Sequence, residues 1–197
     1  MRDWYELLPG AEPTSVGCRV TANTRDLHSV RLWGPLHPLW ADRFTRGIAN
    51  AGVSILSGIG RLRPTGFWSA DFLVQRQPGG GDPESIDYLS LTREPPPPYA
   101  PPLTIDAFDV DGSPDHGGFL HLEVRGPDRV GFLGSLLRTL VELDLVPHEM
   151  WIATRYDEAR DRVLLATTEG RSPDDAHRQA LESALAAHRQ ERPALSA

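Results

Sequence analysis

The residues best suited to chemistry form one run, Gly126-Pro127-Asp128-Arg129-Val130-Gly131-Phe132-Leu133, which ends a strand-like stretch (119–124) and opens a helix-like one (130–143). A strand that turns into a helix in this way leaves backbone amides unpaired, with the positive end of the helix dipole behind them, and that suits a carboxylate. Asp128 beside those amides suits an ammonium group, so the run offers one partner to each end of a zwitterion. Gly131 would let a ligand approach the backbone, and Phe132 or Leu133 would line a side-chain pocket. The plainer alternative is that Asp128 caps the helix and Gly131 only permits the turn.

Other chemistries find less support. The seven histidines form no HExxH or other close ligand pair, and the adjacent His148 and Glu149 point apart on a strand, so no metal is expected. Ser57 and Ser135 sit near glycines without completing a nucleophile elbow, and the single Cys18 lies on an expected strand with no local base. Gly58-Ile59-Gly60 is not continued as a dinucleotide-binding loop, because Arg63 stands where the third glycine is needed. All 20 basic residues are arginine, which excludes a P-loop lysine, a Schiff-base lysine and a Ser-Lys dyad. No catalytic constellation, no cofactor and no enzymatic activity are therefore expected.

The elements that would position the run recur. Gly34-Pro35-Leu36-His37-Pro38-Leu39-Trp40 lies ninety-two residues upstream, again between a strand pattern (28–33) and a helical one in which Trp40, Phe44, Ile48 and Ala51 are spaced to one face and Gly52 supplies the stop. Stretches 53–62 and 67–75 then read as a hairpin around Arg63-Pro64-Thr65-Gly66, and Asp82-Pro83-Glu84 as the capped start of a short helix ending near Thr92. The second copy repeats the plan. A strand at 103–109 and another at 119–124 precede an amphipathic helix with Leu133, Leu136, Leu137, Leu140 and Val141 on its stripe and Ser135, Arg138 and Glu142 off it. A hairpin at 146–154 and 162–168 turns through Tyr156-Asp157-Glu158. Ser172-Pro173-Asp174-Asp175 opens a last helix whose buried face is Ala176, Ala180, Leu181, Ala184 and Leu185. With a leading strand at 17–23, each unit reads strand, strand, helix, strand, strand, helix. The fold class that follows is α+β: a four-stranded, mainly antiparallel sheet covered by two helices on one face, twice. Trp33, Trp40, Trp68 and Trp151 are expected in packing rather than on a binding platform.

Between the units, 93–102 is so rich in proline that it can form neither helix nor ladder, and it reads as a stiff spacer. At 197 residues with 40% hydrophobic and 24% charged residues, the chain has the balance of a soluble protein of two small domains. No stretch approaches the roughly 20 apolar residues of a membrane span. The N-terminal residues lack a long apolar region of the secretory type and Cys18 has no partner within the chain, which together predict a cytoplasmic location. The net charge of -7 predicts no nucleic-acid contact.

The loop Gly126-Pro127-Asp128-Arg129-Val130-Gly131-Phe132-Leu133, placed between strand and helix, resembles that of the ACT domains, a family of ferredoxin-like amino-acid-sensing modules. The match is closest to the C-terminal ACT repeats of bacterial uridylyltransferases acting on the nitrogen-signalling PII protein, where the loop commonly reads Asp-Arg-Pro-Gly-Leu-Leu. The extra strand ahead of each unit also resembles that subgroup, in which it takes the sheet position of the usual last strand. A two-ACT chain of this size is similar to the glycine-cleavage repressor type as well, and no nucleotidyltransferase segment fits within it. The resemblance implies tandem ACT domains at 17–92 and 103–188 joined by the linker at 93–102, with nitrogen metabolism as their setting. Leu36 and His37 replace the Asp-Arg pair in the first copy and Leu39 replaces its second glycine.

The resemblance also implies where a ligand sits: between the two domains, against the start of the second core strand of the partner unit. Those segments are Val53, Ser54 and Ile55 in one unit and Val146, Pro147 and His148 in the other. The expected function is a non-catalytic allosteric regulator that senses a free amino acid or similar small metabolite with micromolar to millimolar affinity, about -8 to -4 kcal/mol. Its partner would be a regulated enzyme or signalling protein, and a homodimer is open. The alternative is an ACT-fold interaction module or regulatory subunit that has lost its ligand.

Overall fold

A computed structural model describes residues 15–95 and 101–190 of the chain; residues 96–100, half of the expected proline-rich spacer, lie outside them, as do residues 1–14 and 191–197. Eight strands and four α-helices follow in the order β1 (Gly17–Ala22), β2 (Leu27–Gly34), α1 (Trp40–Asn50), β3 (Val53–Leu62), β4 (Trp68–Arg76), α2 (Tyr88–Arg93), β5 (Ala107–Asp111), β6 (Leu120–Pro127), α3 (Phe132–Glu142), β7 (Leu145–Arg155), β8 (Glu158–Thr167) and α4 (Asp175–Ala187). The class is α+β, two ferredoxin-like units in tandem.

The strands form because buried and open positions alternate along them. In β2, His28, Val30 and Leu32 are buried and Ser29 and Arg31 exposed; in β8, Ala159, Asp161, Val163 and Leu165 are buried and Arg160 and Arg162 exposed. This period of two gives each sheet one apolar face. The helices answer with their own stripe: Trp40, Ala41, Phe44 and Ile48 on α1, and Phe132, Leu133, Leu136, Leu137 and Leu140 on α3, all enter one core.

All eight strands belong to a single antiparallel sheet in the order β1-β2-β4-β3-β7-β8-β6-β5. The first four make one unit and the last four its mirror in order, so the two units meet edge to edge along β3 and β7. There Ser57 pairs with Ala153, Ile59 with Trp151 and Arg61 with Glu149, which is the register of a twofold relation centred on Ile59 and Trp151. A bulge interrupts both seam strands at matching places, between Ile55 and Ser57 and between Pro147 and Glu149. Arg61 and Glu149 form an ion pair across the seam. In each unit the leading strand lies outermost, β1 beside β2 and β5 beside β6.

Several expectations need correction. The strand expected at 103–109 is Ala107–Asp111; Leu103 and Ile105 are instead buried in a segment whose Ile105 bridges Arg189 beyond α4. Asp82 caps a single 3-10 turn (Pro83–Ser85), and α2 starts later, at Tyr88, with Asp87 accepting from the Ser90 amide. β8 begins at Glu158 rather than 162. Ser135, expected on the open side of α3, is buried because its hydroxyl donates to the Pro101 carbonyl at 2.6 Å. Ala176 and Ala180 are exposed, so Leu181 and Leu185 alone anchor α4. Trp40 and Trp68 are core residues, whereas Trp33 and Trp151 are only half-buried.

Gly58 belongs to the seam strand and not to a nucleotide loop: a Cβ on it would come within 2.3 Å of the Phe72 ring on the neighbouring strand. Intrinsic strand preference would make Gly58→Val stabilising, whereas the Phe72 contact makes it overpacked. We expect a loss of about 1–3 kcal/mol by urea unfolding.

Candidate functional site

The seam brings the β6–α3 loop of the second unit against α1 and β3 of the first. A cleft opens between them, lined on one side by Asp128, Arg129, Gly131, Phe132 and Leu133 and on the other by Thr45, Ile48, Val53, Ser54 and Ile55, with Ile152, Thr154 and Asp161 as its floor. It holds about 380 Å³ of empty space with its mouth included, of which about 30 Å³ admits the centre of a water-sized body.

The helix behind the cleft has no side-chain cap. Its N-cap is Gly131, at a φ of 89°, and no side chain accepts from the first-turn amides. Phe132 donates to the Arg129 carbonyl and Ser135 to that of Gly131. Asp128 therefore does not cap α3. Its backbone amide donates to the Asp157 carbonyl, and its carboxylate accepts from the Thr154 hydroxyl. Burial raises the Asp128 pKa, the Thr154 hydrogen bond opposes that shift, and the nearby Asp157 adds to it. Gly131 has a second duty: a Cβ there would meet the Pro101 ring at 2.8 Å, so the closest neighbour of this glycine is the end of the proline-rich segment.

The remaining expected residues divide. Gly126 and Pro127 end β6 and do not line the cleft; Gly126 is buried beneath the Phe132 ring. Val130 does not line it either. On β7, Val146 and Pro147 are buried outside the cleft, and His148 stands at the bulge with its ring stacked on Phe119, centroids 4.1 Å apart. Burial, with Arg61 close by, lowers the His148 pKa despite the opposing effect of Glu149.

The sheet register shows how the matching place in the first unit differs. Val124 pairs with Asp161 and Gly126 with Ala159; the matching pairs in the first unit are Leu32 with Ala70 and Gly34 with Trp68. Asp161 thus corresponds to Ala70, Ala159 to Trp68, and Asp128 to Leu36. The Trp68 indole packs edge-on to Trp40 at 5.2 Å, and both are buried. An aromatic pair takes the place of the open, acidic space. The loop itself is also closed, since His37 Nδ1 accepts from the Leu39 amide at 3.1 Å.

Asp161 is the residue that reading the sequence missed. It is 2% exposed, its Oδ1 accepts only a long 3.4 Å hydrogen bond from the Ala153 amide, and its Oδ2 has no partner among the described residues. Burial, reinforced by Asp128, pushes its pKa up to about 7. Its phase was the available signal: Asp161 alternates with Ala159, Val163 and Leu165, all buried. Elsewhere, burial and the nearby Asp87 push the Cys18 thiol up to about 11, which leaves it a poor nucleophile at neutral pH. Among the described residues, no group of three or more His, Cys, Asp or Glu side chains is placed to hold a metal ion. No helix among them is long and apolar enough to cross a membrane.

No family model matches the chain, and no curated protein matches it. Among solved structures, aspartate kinase from Synechocystis superposes with a TM-score of 0.46 at 14% identity, over 81% of this chain and 26% of that one.

The buried acid sets a pH dependence. Asp161 holds its proton more tightly folded than unfolded, where the value is about 3.9. Between about pH 4 and 7 the folded state therefore binds the extra proton, and its contribution to stability falls as pH rises through that window. Asp161→Asn removes the term. In urea titrations the variant should match the wild type near pH 4.5 and exceed it by about 2–4 kcal/mol at pH 8.

Proposed function

We propose that the chain is a non-catalytic regulatory protein that senses a free amino acid in the cleft between its two ACT-type units. The observation that carries this reading is the pairing of opposite recognition elements in one cleft: Asp128 for an ammonium group, and the N-terminus of α3, without a side-chain cap, for a carboxylate. A ligand there touches both units at once. It therefore favours one relative placement of the units by the difference in its affinity for the two, and that is how occupancy becomes a signal. The asymmetry of the loops gives one site per chain, in the second unit's loop.

The receiver of that signal would be an enzyme or signalling protein of nitrogen metabolism, in the cytoplasm, and the kinship would be with the regulatory repeats of PII uridylyltransferases and with glycine-cleavage repressors. A second reading is an interaction module that keeps the fold without a ligand. The aromatic packing of Trp40 and Trp68 at the matching place in the first unit favours it, since that place offers no acid to an ammonium group.

Thermal unfolding at pH 8 in the presence of each of the twenty amino acids separates these readings. A ligand at a hundred times its dissociation constant adds about 2.7 kcal/mol, which raises Tm by several degrees. We expect one or two amino acids to do so, and Asp128→Ala to abolish the shift. A flat response to all twenty selects the interaction module.

A further inference from the structure

The cleft contains a second carboxylate that the amino-acid reading does not use. Asp161 is nearly inaccessible to solvent, yet it lines the cleft with Oδ2 unpartnered. A buried carboxylate with one long hydrogen bond is costly to ionise and is kept only where something compensates it. The same space at the corresponding place in the first unit is apolar, Ala70 beside Trp68, so the fold itself does not require an acid there.

We propose that Asp161 is a second anionic contact for the ligand's ammonium group, that with Asp128 it restricts the cleft to small neutral amino acids, and that binding expels the proton of Asp161. This rests on the amino-acid reading and specifies its ligand class and its regulation by pH.

The surroundings support a cation at this point and no other group. The β6–α3 loop contributes Asp128 and, at the mouth, the exposed Arg129; the β7–β8 turn contributes Asp157 next to Asp128. β7 offers the Ala153 amide and the Thr154 hydroxyl, while α1 and β3 line the cleft without a charged side chain. An ammonium held between Asp128 and Asp161 supplies donors to Oδ2 and offsets one of the two like charges. The cost of ionising Asp161 then falls, so its proton leaves to solvent as the ligand enters. Two carboxylates without a third ligand do not make a metal site. An acidic side chain on the ligand would add a third anion to the floor. The narrow interior and the walls of Ile48, Ile55 and Leu133 limit the side chain to the size of glycine, alanine or serine.

Isothermal titration of the full chain with glycine, L-alanine and L-serine tests this at pH 6 and pH 8, each in two buffers of different ionisation enthalpy. With Asp161 titrating near pH 7, affinity should fall about tenfold from pH 8 to pH 6, with close to one proton released per ligand at pH 6 and close to none at pH 8. Asp161→Asn should weaken binding at pH 8 more than tenfold and abolish the proton release. L-aspartate and L-glutamate should not bind. Affinity that is flat or rises as pH falls overturns the assignment of Asp161, and so does an Asn variant that binds like the wild type; the sensor reading survives both. Binding of only large or acidic amino acids overturns the ligand class alone. If none of the twenty amino acids binds the wild type at pH 8, both readings fall.

Discussion

Pairing of β3 with β7 is the interaction on which the rest of this structure depends. A four-stranded sheet with helices on one face still presents backbone donors and acceptors along its last strand, and each unit satisfies those groups with the other. The antiparallel register through Ile59 and Trp151 then decides everything above it. It sets α1 beside α3, makes the two helical stripes one core, and carries the Asp128 loop to the first turns of β3. Neither unit alone has the cleft. Close approaches such as that of Phe72 over Gly58 show that the seam tolerates little change of volume on its inner face.

The same twofold relation makes the departures from symmetry informative. Two copies of one plan offer two equivalent clefts, and side chains at three matched positions decide which stays open. Leu36, Trp68 and Ala70 produce a packed aromatic corner; Asp128, Ala159 and Asp161 produce a polar hollow. The closed corner gains the dispersion and edge-to-face contacts of buried indoles. The open one forgoes them and bears the desolvation of two acids, which fits a place selected for occupancy rather than for stability.

Much of the fold was legible in the chain. Alternation along β2, β4 and β6, helical spacing on α1 and α3, and the recurrence of the plan at a separation of ninety-two residues are all local patterns, and they match the observed succession of elements along each unit. Failures fell where nonlocal contacts override local signals. Leu103 and Ile105 have the residue types of a strand, but Ile105 pairs instead with the chain beyond α4, and Ser135 is drawn inside by the Pro101 carbonyl. Asp82-Pro83 carries a helix-start signature that yields one 3-10 turn, because the chain must first lay Ile86 against the core.

The sequence by itself determined the two α+β units, the loop that ends β6, and the departure of the matching loop from that pattern at Leu36 and Leu39, because each follows from residue types and spacing along one segment. It also placed Val53, Ser54 and Ile55 opposite that loop through resemblance to known ACT pairs. Only the tertiary structure decided that Val146, Pro147 and His148 have no part in the cleft, that Gly131 makes way for Pro101, and that Asp161 is buried without a partner. Those outcomes depend on which strands become neighbours and how far a side chain is removed from water. An aspartate between two arginines looks solvated in one dimension; pairing β8 between β6 and β7 turns it toward the interior.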